Sequence, residues 1–103
     1  MPHYVYKSLT IPQWDAFQKD KVFKGSPLDI QDGFIHMSRE EQLPGVLQKF
    51  MSDEDEVVIA KIDTQKLKDT LIFEANRPGG DQYPHLYGTL SLDAVEGVER
   101  RKP

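Results

Sequence analysis

Hydrophobic positions along the chain change period several times, and each change marks an element. His3 to Lys7 (His-Tyr-Val-Tyr-Lys) alternates with a period of two, Val5 on one face and Tyr4 and Tyr6 on the other, which predicts a first strand. Thr10 then supplies an N-cap oxygen and Pro12 sits where a missing N–H does no harm. Ile11, Trp14 and Phe17 fall at helical spacing, so a short helix runs to about Lys19. Val22 and Phe23 form a brief extended piece, Gly25-Ser26-Pro27 through Asp32-Gly33 reads as a loop, and Phe34 to Met37 is a second strand.

Ser38 and Glu41 have the Ser-x-x-Glu spacing of a capping box, in which hydroxyl and carboxylate satisfy each other's backbone N–H groups. A helix is therefore expected directly after the strand, with Pro44 near its start and Val46, Leu47, Phe50 and Met51 on its apolar side, ending before the acidic run Asp53 to Glu56. Val57 to Ile62 is the strongest strand signal in the chain and, being apolar on both faces at its start, is expected at the centre of a sheet. Asp63 or Thr64 caps a short turn containing Leu67, and Leu71-Ile72-Phe73 is a strand ending at Glu74. Asn76 to Gln82 is a loop, and Thr89 to Leu92 and Ala94 to Arg100 are short strands. The pattern predicts one α+β domain over residues 1–103, with mixed, mostly antiparallel strands and two main short helices.

Length agrees, since 103 residues suit one domain and leave no room for a second. Thirteen Lys and Arg against seventeen Asp and Glu give a formal charge of −4, which argues against nucleic-acid binding by bulk charge. The absence of cysteine removes disulfides, thiolate nucleophiles and Cys-ligated zinc. The longest aliphatic run, Val57 to Ala60, is far short of the roughly 20 residues a membrane helix needs, and the N-terminus shows no basic segment followed by an apolar run, so the expected location is cytoplasmic.

Of the three histidines, His3 is a strand residue and His36 and His85 carry the candidate chemistry. His36 lies within the second strand and points away from Ile35 and Met37; its blander role is a half-buried histidine bonded to a neighbouring loop. His85 sits between Pro84 and Gly88, which fix the backbone on either side, and its blander role is packing on an aromatic. Glu74 ends an apolar strand, where it projects into a cleft or pairs with Arg77. Two imidazoles and a carboxylate at such scattered spacing make no recognisable metal motif, and no metal is assigned. Dinucleotide-fold, P-loop, zincin and hydrolase-elbow motifs are absent.

Asp32-Gly33-Phe34-Ile35-His36-Met37-Ser38, then Glu74, then Pro84-His85-Leu86-Tyr87-Gly88 together resemble the signature of a small, mostly bacterial domain family of unknown function. The resemblance covers essentially the whole chain. It implies a fold similar to that of the ADP-ribosyltransferases, and among them the RNA 2'-phosphotransferases, which carry a His-x-Ser strand end like His36-Met37-Ser38. It implies a nucleotide ligand, with NAD as the possible cofactor. On chemistry, His36, Glu74 and His85 form the candidate catalytic set. Ser38, Arg77 and Tyr87 form the candidate ligand-binding set, with Arg77 for a phosphate and Tyr87 for a planar ring. Two alternatives stand beside this reading: a non-catalytic module that binds a small ligand or a protein in the same cleft, and a purely structural role for the motif residues.

Overall fold

Thr10 closes the first strand and opens the first helix. In a computed structural model, which describes residues 2–103, strand β1 (Tyr4–Thr10) runs straight into helix α1 (Ile11–Asp20). The Gln13 amide donates to Thr10 Oγ1 (3.2 Å) and the Thr10 amide to Gln13 Oε1 (2.9 Å), a reciprocal cap with Pro12 in the first turn. Trp14 and Phe17 are buried and meet edge to face at 5.6 Å. Lys21, in a left-handed conformation at φ 62°, ends the helix, and β2 (Val22–Phe23) follows.

The stretch read as a loop after Gly25 contains a helix, α2 (Pro27–Asp32). Ser26 and Asp29 form a capping box, Pro27 occupies a first-turn position, and Gly33 (φ 85°) closes the helix. The Pro and Gly that punctuate loops are also the residues that begin and end helices, and six residues are too few for a periodicity to show.

Strand β3 (Ile35–His36) is shorter than the expected Phe34 to Met37. The anticipated Ser38–Glu41 box does not form. Ser38 instead exchanges two backbone hydrogen bonds of 2.8 Å with Tyr6, an isolated bridge that ties β3 to β1. The cap moves one residue on, where Gln42 Oε1 accepts from the Arg39 amide (2.9 Å), and a 3₁₀ turn at Glu40–Gln42 leads into α3 (Leu43–Phe50) with Pro44 near its start.

Strand β4 (Val57–Asp63) lies between β1 and the last strand, β8 (Val95–Arg101), antiparallel to both. Its central place follows from its apolar faces. Val58, Ala60 and Ile62 join the main core with Val5, Leu9 and Phe17, while Val57 and Ile59 pack against Leu43 and Leu47 of α3. A second antiparallel sheet has the order β3, β6 (Gln82–Tyr87), β5 (Thr70–Ala75), and β2 pairs with β7 (Leu90–Ser91).

Strand β6 was not anticipated, because Pro84 and Gly88 read as turn residues. Gly88 is required where it stands: at φ 155°, a Cβ there would lie 2.1 Å from the Asp69 carboxylate, which accepts from the Thr89 amide. The domain is thus α+β, with antiparallel pairing throughout its named strands and a third, short helix beyond the two expected. Among the described residues no helix is long and apolar enough to cross a membrane.

Candidate functional site

Residues paired across antiparallel strands point to the same face, so the register of the β3–β6–β5 sheet sorts its side chains. Ile35, Leu86, Leu71 and Phe73 turn to the core. His36 pairs with His85, His85 with Ile72, and Glu74 with Tyr83, which places the two histidines and the carboxylate together on the opposite face. That face opens onto a cleft of about 920 Å³ whose walls include Lys7, His36, Ser38, Glu74, His85 and Tyr87. Its size falls within the range typical of small-molecule sites. Arg77 is not part of it: it sits exposed in the turn between β5 and β6, where its carbonyl accepts from the Gly80 amide (3.1 Å).

The two histidines have different surroundings. His85 is 2% exposed, with Nδ1 2.9 Å from Glu74 Oε1 and Nε2 without a hydrogen-bond partner. Because a carboxylate only accepts, Nδ1 carries the proton. Tyr87 donates its hydroxyl to the same Glu74 oxygen. Chiefly through this Tyr87 bond, and then through His85, Glu74 is held below the usual carboxylate range, whereas the same hydrogen bond, ahead of burial and the Glu74 charge, pushes the Tyr87 phenol upward. Phe34 completes an aromatic wall, stacked on His85 at 4.0 Å and tilted toward Tyr87 at 5.2 Å.

His36 instead has a carboxylate at each ring nitrogen: Nδ1 is hydrogen-bonded to Asp29 Oδ1 (2.6 Å), and Nε2 lies 3.0 Å from Asp32 Oδ2 in an ion-pair contact. Asp29, 2% exposed, is the hub beneath it: it also accepts from the His36 amide (3.1 Å), the Ser26 amide (2.9 Å) and Lys7 Nζ (3.0 Å). Lys7, itself buried, spends a second proton on the His36 carbonyl (2.8 Å). Burial by itself would raise the Asp29 carboxyl, but His36, Lys7 and the two amides outweigh it and hold the group well below its ordinary range. For Lys7 the balance tips the other way, burial lowering its ammonium despite Asp29. The two directions agree on one physical point: Asp29 is stabilised by several donors, Lys7 by few acceptors.

Sequence reasoning passed over Lys7 and Asp29. Both were detectable. Lys7 occupies the inward position of a Val5, Lys7, Leu9 alternation, and an inward lysine requires a buried acceptor. Ser26-Pro27-Leu28-Asp29 is a capping box with aspartate in place of glutamate. Among the described residues no group of three or more acidic or histidine side chains is arranged to hold a metal ion.

Comparison with curated proteins gives no match. Among solved structures, the crystal structure of protein CC0527 from Caulobacter crescentus is similar, with a TM-score of 0.85 and 33% identity, over 94% of this chain and 84% of that one. The solution NMR structure of CC0527 gives a TM-score of 0.81 and 34% identity, over 95% and 84%. The model of the family described as protein of unknown function (DUF952) matches residues 8–98, nearly the whole domain just described, and the chain belongs to that family.

Proposed function

We propose that the cleft binds a nucleotide, NAD or an ADP-ribose derivative, and that the protein acts as a transferase of the ADP-ribosyltransferase-like class. One observation carries the reading: the Phe34, His85 and Tyr87 rings form a wall on one sheet face, with the ionised Glu74 at its edge. Such a wall suits a planar heterocycle, and a carboxylate beside it suits a ribose hydroxyl. Both protein bonds to Glu74 fall on Oε1, which leaves Oε2 for the ligand. Ser38 lines the same cleft as a further hydroxyl partner. In the transfer, the bond from ribose C1 to the pyridinium nitrogen breaks. Nicotinamide leaves with the electron pair, and C1 bonds to an acceptor oxygen or nitrogen that gives up its proton.

A non-catalytic module using the same cleft is the second reading. It is favoured by the engagement of both His36 ring nitrogens and one Glu74 oxygen within the protein itself. The two readings separate in one experiment: thermal melting with NAD and with ADP-ribose, followed by chromatography for released nicotinamide, in the native protein and in Glu74→Gln. A ligand at ~100 times its dissociation constant stabilises by about 2.7 kcal/mol. Binding with nicotinamide release that Glu74→Gln abolishes is expected. Binding without release favours the module, and melting unmoved by any nucleotide overturns the nucleotide reading.

A further inference from the structure

Asp32 is unexplained by the helix it ends. It is the last residue of α2, where the helix dipole disfavours a negative charge, and it is well exposed, so neither packing nor capping accounts for a carboxylate there. Its contact is with His36 Nε2, at 3.0 Å.

That contact has a charge requirement. Asp29 already takes the proton on His36 Nδ1, and a carboxylate at Nε2 is attractive only if this nitrogen carries a proton too. With a proton on each ring nitrogen, Lys7, Asp29 and His36 together bear one positive charge in excess, which Asp32 cancels. Both carboxylates line the cleft beside His36, itself 24% exposed, but the Asp29 side chain is 2% exposed whereas that of Asp32 is 37% exposed. The inner carboxylate is structural, and the outer one occupies a position open to a ligand. Other charged groups near the ring do not supply the missing anion: Glu74 is engaged by His85 and Tyr87, and the remaining charged residue of the lining, Lys49, is cationic.

We infer that His36 Nε2 is an anion subsite and that the Asp32 carboxylate stands in for an anionic ligand group, a phosphate or pyrophosphate, which displaces it on binding. The inference deepens the nucleotide reading and rests on it for the identity of the whole ligand. The subsite itself requires only an oxyanion. Asp32 thereby sets specificity, since a neutral ligand gains nothing by displacing it and an anionic one recovers a charge-assisted hydrogen bond.

The test is calorimetric titration of the native protein, Asp32→Asn and His36→Gln with three probes: ADP-ribose, inorganic pyrophosphate and adenosine. Asp32→Asn removes the competitor's charge at nearly constant shape. It should tighten pyrophosphate and ADP-ribose by about threefold or more, the size of a partly exposed charge interaction, and leave adenosine unchanged. His36→Gln should abolish the pyrophosphate response. If ADP-ribose binds but Asp32→Asn leaves its affinity unchanged or weaker, the inference falls and the nucleotide reading stands. If pyrophosphate binds more tightly to Asp32→Asn while adenosine and ADP-ribose show no preference over it, the subsite stands and the nucleotide reading falls. Pyrophosphate that binds neither protein at millimolar concentration overturns the subsite outright.

Discussion

Replacing Asp29 by Asn tests whether the buried charge cluster holds the domain together. The carboxylate takes four hydrogen bonds, from Lys7 Nζ, the Ser26 and His36 amides and His36 Nδ1. An amide keeps one accepting oxygen but turns an N–H₂ toward donors, and it leaves the Lys7 ammonium buried without a counter-charge. Breaking a buried pair from one side costs about 3–5 kcal/mol, a large share of the ~5–15 kcal/mol that holds a domain of this size. At ~4–8 °C per kcal/mol, melting should fall by about 12 °C or more. Urea denaturation at pH 7 with an unchanged slope is the assay. Lys7→Met should cost a comparable amount, and Lys7→Met with Asp29→Asn less than the two added, because the second change removes a partner already lost.

The sign of the pH dependence is fixed as well. Asp29 is depressed in the fold, so its contribution is fully present above the unfolded carboxyl value of about 3.9 and is lost as pH falls toward the folded one. The gap between native protein and Asp29→Asn should be flat from pH 7 to pH 5. It should then narrow by about 1.4 kcal/mol per unit below pH 4. A loss under ~1 kcal/mol at pH 7, or a gap that stays constant down to pH 2.5, would refute the hub.

Three further outcomes follow from the same geometry. Gly88→Ala should cost about 1–3 kcal/mol through the clash with Asp69, measured by urea denaturation, and adding Asp69→Ala should recover part of it. Tyr87→Phe should raise the Glu74 carboxyl toward its ordinary value, seen as a shifted titration of its carboxyl carbon by NMR; an unmoved titration would show that the Tyr87 bond does not hold it down. Ser26→Ala removes the α2 cap and should lower stability by about 1 kcal/mol, read as a melting shift of several degrees.

How far the fold was legible follows from what each element depends on. β1, α1, α3 and β4 carry their own periodicity, and the apolar start of β4 announced a strand buried on both faces. α2 and β6 depend on context. Pro27 and Gly33 begin and end a helix too short to show a period, and Pro84 lies inside a strand that only its two neighbours define. In the site, His36, Ser38, Glu74, His85 and Tyr87 come together because strand register puts them on one face, and they were readable as polar residues within apolar strands. Arg77 stood near them in sequence only, since the turn after β5 carries it away from the cleft. Asp29 shows locally only as the second half of a capping box: its burial is justified by donors on β1 and β3, and no local pattern records a donor such as Lys7 that arrives from 22 residues away.

The two histidines are direct cross-strand partners with ring centroids 5.5 Å apart, yet one is braced by carboxylates at the cleft rim and the other lies under Phe34 against Glu74. The cleft therefore has a charged end and an aromatic end within one ligand length. A molecule joining an oxyanion to a planar ring engages both, and its fragments engage one each. Phe34→Ala should then weaken adenosine and leave pyrophosphate unaffected, while Asp32→Asn should tighten pyrophosphate and leave adenosine unchanged. ADP-ribose should respond to both substitutions, and because Phe34 packs against His36 at 4.6 Å the double variant measures any coupling between them. Calorimetric titrations on the two single variants and the double variant read this directly. Loss of pyrophosphate binding in Phe34→Ala would mean that the aromatic wall positions His36 rather than the ring of a ligand, and the division of the cleft into two ends would fail.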